Sequence, residues 1–159
     1  MTTNILFLVI GIAAGLILFY LILMNRAQSM MLMEDESKYS LEETEKMILE
    51  AATAIGWKNP ANHDLQQTMK NNGFEVLPVK VIEICKPDIA KEILSRDMEK
   101  QVSNLMPCRI SIYKKSDGKV YISRLNSGLM AKPMKGVIPE VMKKATADVE
   151  KIIAPLIKK

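Results

Sequence analysis

The chain is poor in the residues that usually carry chemistry. Its 159 residues include one histidine (His63), two cysteines (Cys85 and Cys108) and only one Trp, four Tyr and three Phe. With no C-x-x-C-H, covalent c-type haem attachment is excluded. Metal-cluster spacings, a G-x-S-x-G elbow and phosphate-cradling glycine loops are also missing. A nucleic-acid surface needs a basic face with stacking aromatics or a reading helix; here the aromatics are few and scattered, and no nucleic-acid partner is expected. No internal repeat or low-complexity segment is present.

Charge is missing where it is most telling. Every Lys, Arg, Asp and Glu lies after Met24, and Ile5 to Met24 (ILFLVIGIAAGLILFYLILM) is a twenty-residue uncharged run. At about 1.5 Å per helical residue it can cross a hydrocarbon core of about 30 Å. A cleaved signal peptide wants a basic n-region, a shorter apolar core and a small-residue cleavage site. Met1-Thr2-Thr3-Asn4 has no basic residue, and Leu23-Met24-Asn25-Arg26 is a poor cleavage site. The sequence therefore predicts a tail at 1–4, a retained single-pass helix at 5–24, a linker or edge strand at 25–37 and a globular domain at 38–159. Gly11 and Gly15 form a small-xxx-small pair that would let two such helices approach closely. Arg26 at the C-terminal flank favours a cytoplasmic domain, where two free thiols are at home; a periplasmic or external domain is the alternative.

The remaining charge is uneven. From Glu34 to Glu50 there are seven acids against Lys38 and Lys46, whereas beyond Glu50 nineteen basic residues face eleven acidic ones. The surplus favours anionic lipid or an acidic partner at close range, but scattered lysines equally make a solvated surface.

Within the domain the patterns alternate between helix and strand. Ser40 and Glu43 form a capping box ahead of Leu41, Ile48, Ala51, Ala52 and Ile55, with Gly56 as the stop. Asn62 is expected to cap a second short helix bearing Leu65 and Met69 and ending at Asn72-Gly73. Val76 to Cys85 reads as a strand, and Pro87-Asp88 opens a helix turning Ile89, Ile93, Leu94 and Met98 inward. Cys108, Ile110 and Ile112 alternate with Arg109, Ser111 and Tyr113; Asp117-Gly118 makes the turn, and Val120 and Ile122 return with the same period. Asn126 to Gly136 is a loop, and Pro139 begins a last amphipathic helix through Val141, Ala145, Val149, Ile152 and Ile153. The class is α+β: a mainly antiparallel sheet of four to five strands with helices on one face, preceded by the transmembrane helix.

Several spaced blocks carry a family resemblance. They are His63-Asp64-Leu65-Gln66, then Val79 to Pro87 with Ala90, then Leu105-Met106-Pro107-Cys108-Arg109 and Asp117-Gly118-Lys119-Val120-Tyr121. From about Tyr39 to Ile153 the chain resembles the domain of unknown function 302 family. The resemblance implies a small domain of roughly β-α-β4-α order, often self-associating, and implies no reaction or cofactor.

Candidate chemistry is sparse. Cys85, at a strand end before a helix start, is a candidate reactive thiol, with Cys108 as its companion. A helix between their strands suggests a parallel step that places them at opposite ends of the sheet, hence no disulfide; antiparallel strands would reverse that expectation. Buried cysteine otherwise acts as a small apolar residue. His63 beside Asp64 could be an oriented base or ligand, or simply a cap or surface contact; Arg109 follows Cys108 in the same set. Met30, Met31, Met33, Met106, Met130 and Met134 are soft thioethers, though methionine more often fills cores. Leu129, Met130, Lys132, Met134 and Lys135 make the 126–136 loop the expected contact surface for headgroups or a partner. Three readings follow: a membrane-tethered, self-associating interaction module (a homodimer) without catalysis; a thiol-based redox or sulfur-handling protein; and a soft-metal or haem binder using His63, Cys85 and Cys108.

Overall fold

The computed structural model describes residues 2–158. Met1 of the predicted tail lies outside the described residues, and helix α1 already runs from Thr2 to Met31. It carries the apolar run past Met24 through the first part of the predicted linker region up to Leu32, where strand β1 (Leu32–Glu36) begins with no residue between. The expected linker is thus helix and then edge strand.

After β1 come α2 (Leu41–Ala54), β2 (Asn62–Asp64), α3 (Leu65–Asn71), β3 (Val79–Ile84), α4 (Pro87–Leu94), a 3-10 segment (Asp97–Leu105), β4 (Cys108–Lys114), β5 (Val120–Leu125), α5 (Ser127–Met130) and α6 (Ile138–Ile153). The five strands form one antiparallel sheet in the order β1-β5-β4-β3-β2. The fold is α+β, with the β-α-β4-α order and short helical insertions.

Local chemistry explains most elements. Ser40 caps α2 with the full reciprocal capping box to Glu43, and Gly56 takes the left-handed conformation (φ 83°) that ends it. Ile110, Ile112 and Ile122 are fully buried at alternate strand positions, together with Ile82 and Ile84 of β3. Leu41, Ile48 and Ala52 of α2 and Ala145, Val149, Ile152 and Ile153 of α6 cover them. A second cluster joins Ile93 of α4, Val102 and Ile138, Val141 and Met142 of α6. Both clusters lie on the same side of the sheet.

Four sequence readings are corrected. Asn62 does not cap a helix: Asn62–Asp64 pairs with β3 as a strand, and Asp64 is the cap of α3, accepting from the Gln67 amide at 2.8 Å. Leu94 and Ile55 are exposed where α4 and α2 end, and Met98 is exposed because α4 stops at Leu94 and leaves it at the start of the 3-10 segment. The 126–136 loop contains α5, with Leu129, Met130 and Met134 half-buried and Ala131 fully buried. Finally, β3 and β4 run antiparallel, not parallel: Ile84 lies opposite Cys108.

Candidate functional site: the open face of the sheet

Alternation along the strands leaves one face free of the buried core. Two rows of side chains cross it. His63, Val81, Ser111, Ser123 and Glu34 form one, and Val79, Tyr113, Tyr121 and Glu36 the next. None of these residues belongs to either core cluster. Glu83 and Arg109 lie opposite one another beyond the first row.

Charges on this face are paired. Glu83, nearly buried, accepts from Arg109 Nε at 3.1 Å and lies 3.3 Å from His63 Nε2. Glu34 accepts from Lys115 at 2.7 Å and from the Tyr113 hydroxyl. The Lys115 contact, reinforced by Tyr113, holds the Glu34 carboxyl below its ordinary value. Burial, with the Glu34 carboxylate beside it, pushes the Tyr113 phenol up to about 12. Glu36 takes Lys119 at 2.9 Å and Lys158, and the Tyr121 hydroxyl donates to Asp117 at 2.8 Å. Tyr113 and Tyr121 stack with centroids 6.2 Å apart, and Lys115 sits 4.0 Å over the Tyr121 ring.

The edge of this face is hydrogen-bonded to the end of α1. The Asn126 amide donates to the Met31 carbonyl at 2.8 Å, and its side chain donates to Met30 at 3.2 Å, satisfying carbonyls that a helix end leaves open. Arg124, almost fully buried, holds Glu150 of α6 through two bonds (2.8 and 2.7 Å) and Asp35 of β1 through a third. Between α1 and the sheet lies a cleft of about 320 Å³, lined by Asn25, Gln28, Ser29, Leu32, Glu34, Tyr113 and Ser123.

The residues singled out from sequence do not form one site. His63 and Arg109 are brought together, but through Glu83, which the sequence reading missed because it sits inside a nearly continuous apolar run. Asp64 is spent on capping α3. Cys85 and Cys108 lie at the same end of neighbouring strands rather than at opposite ends, one residue out of step. Both cysteines are free thiols despite the antiparallel register. Cys108 packs on the core, and burial, with a smaller effect of Cys85, pushes its thiol up to about 11. Burial also raises Cys85, whose backbone exchanges hydrogen bonds of 2.8 and 2.9 Å with Lys58. The two border an apolar cavity of only about 30 Å³ with Trp57, Ile89, Met106 and Met142. Lys132 and Lys135 are exposed, whereas Leu129, Met130 and Met134 are half-buried. Among the described residues, no group of three or more His, Cys, Asp or Glu is placed to hold a metal ion.

Comparison with known proteins agrees with the fold. No curated protein matches the sequence. The crystal structure of an uncharacterised conserved DUF302 protein from Bacillus stearothermophilus is similar, with a TM-score of 0.72 at 16% identity, covering 80% of this chain and 98% of that one. At that identity the likeness speaks for the fold alone. The family described as Domain of unknown function DUF302 matches residues 33–156, which leaves α1 outside the shared domain. The chain belongs to the DUF302 family.

Proposed function

We propose that the protein is a single-pass, membrane-anchored interaction module that works through contacts rather than catalysis. The observation that carries this reading is the continuity of α1: a helix long and apolar enough to cross a membrane, with none of its spanning window buried against the domain, runs straight into β1. A soluble core helix would bury that surface. The direct junction and the Asn126 bonds support retention over cleavage.

Two finer expectations belong to the same proposal. Arg26, by the positive-inside tendency, supports a cytoplasmic domain over a periplasmic or external one. Gly11 and Gly15, where an added Cβ would meet nothing within 4 Å, leave one face of α1 free for a second anchor, so a dimer would form in the membrane. The thiol reading is weaker, since burial keeps Cys85 and Cys108 protonated and poorly nucleophilic at neutral pH.

Flotation of the full chain tests the anchor. Protein reconstituted with phosphatidylcholine vesicles and washed with alkaline carbonate should float with the lipid. Protein left at the bottom of the gradient would overturn the reading.

A further inference from the structure

The anchor fixes the depth of whatever is rigidly attached to it. Asn25 directly follows the last residue of the uncharged run, so, on the reading of α1 as a membrane span, it sits where hydrocarbon gives way to headgroups. The interfacial layer beyond is roughly 5–7 Å thick on each side. From Met24 to Met31 the helix rises only about 10 Å. The sheet therefore begins at the outer edge of the headgroups.

Its orientation follows from the cleft. Asn25, Gln28, Ser29 and Leu32 recur at helical spacing and occupy one face of α1 and its end. They share a single cleft with Glu34, Tyr113 and Ser123, all from the open face of the sheet. A helix continuing in line with β1, away from the sheet, could not bring Asn25 and Tyr113 to one cavity. The anchor instead leans beneath the open face, and the angle between them opens toward the side from which α1 comes. The helices α2, α4 and α6 lie on the opposite face, away from the lipid.

We infer that the open face of the sheet is a membrane-apposed surface, seated on the headgroup layer of the bilayer that holds α1. Its chemistry fits that occupant. Tyr113 and Tyr121 are the amphipathic rings favoured at membrane interfaces, and Lys115 lies over one of them. Leu32 and Leu125, paired at the edge nearest the junction, are 44% and 37% exposed. The charged groups balance: Glu34, Glu36, Glu83 and Asp117 stand among Arg109, Lys115, Lys119 and Lys158. A face with paired charges suits zwitterionic headgroups and needs no net negative lipid. The inference rests on the anchor reading and adds to it the partner of the sheet.

Tryptophan reporters in the full chain test it. Tyr121→Trp places an indole on the open face, and Lys151→Trp places one on the exposed side of α6, where Lys151 is 74% exposed. Trp57, 2% exposed, supplies a constant background. In phosphatidylcholine vesicles doped with headgroup spin-labelled lipid, Y121W should lose most of its added emission while K151W keeps its own. Replacing part of the lipid with phosphatidylglycerol should change neither. Tyr113→Trp repeats the measurement if near-UV circular dichroism shows that Y121W is misfolded.

Equal quenching of the two reporters, or none in either, would overturn the inference. So would quenching of Y121W that requires anionic lipid. A blue-shifted, unquenched and concentration-dependent Y121W signal would assign the face to a second copy instead. A chain that floats yet leaves Y121W unquenched overturns this inference alone; a chain that does not float overturns the anchor reading with it.

Discussion

The backbone amide of Asn126 donates to the carbonyl of Met31 at 2.8 Å, tying the end of β5 to the last turn of α1. The same residue caps α5, its side-chain oxygen accepting from the Leu129 amide at 3.2 Å. One side chain thus serves both the junction of α1 with the sheet and the loop behind it.

Replacing it separates the two effects. Asn126→Ala should lower stability by about 1 kcal/mol, the typical worth of a helix cap. Asn126→Asp keeps the cap acceptor but loses the donor to Met30, and should lie between wild type and alanine. Thermal melts of the full chain in detergent provide the comparison.

Arg124 makes a stronger prediction. Removing it leaves Asp35 and Glu150 facing a partly buried gap, so Arg124→Ala should cost about 3 kcal/mol, the lower end for a broken buried pair because both acids keep some water. Replacing all three residues with apolar ones of similar volume should recover most of that loss. Denaturant titration of the single and triple variants decides between an electrostatic lock and simple packing.

The fold's legibility in the sequence was uneven, for physical reasons. Helix α2 and the β4–β5 hairpin are local: the Ser40–Glu43 box, strict alternation and Asp117-Gly118 each fix a neighbourhood without help from elsewhere. The direction of β4 is not local. The 3-10 segment at Asp97–Leu105 returns the chain to the end of the sheet that β3 had reached, and nothing periodic marks it. A helix between strands therefore suggested a parallel step. Strand β2 is only three residues long, too short for alternation to show. His63 and Arg109 could be named as polar candidates, but their meeting through Glu83 depends on cross-strand register. The open face itself was legible residue by residue as the polar half of the hairpin, while its relation to α1 came only from the cleft.

Acid and base should each weaken the open face, through different groups. Glu34 has a folded pKa below its ordinary 4.5, so its contribution to stability is present above that value and lost as the pH falls through the lowered one. Glu34→Gln should flatten the acid side of the stability curve. Tyr113 has a folded pKa raised from 10.0 to about 12, so its contribution is full below 10.0 and is lost as the pH rises toward 12. Spectrophotometric titration should show one tyrosine ionising near the upper limit, and Tyr113→Phe should remove that step.

The cysteines should behave as structural thiols. With Cys108 pushed up to about 11 and Cys85 also raised, alkylation by iodoacetamide at neutral pH should be slow in the folded chain and fast in denaturant. Rapid labelling of either thiol in the native protein would revive the redox reading.

The most direct measurement of the central claim is the intact mass of the mature protein recovered from membranes. Retention of α1 predicts a mass corresponding to the chain with residues 2–31 still attached, found in the membrane fraction. A soluble species trimmed beyond Met24 would contradict it.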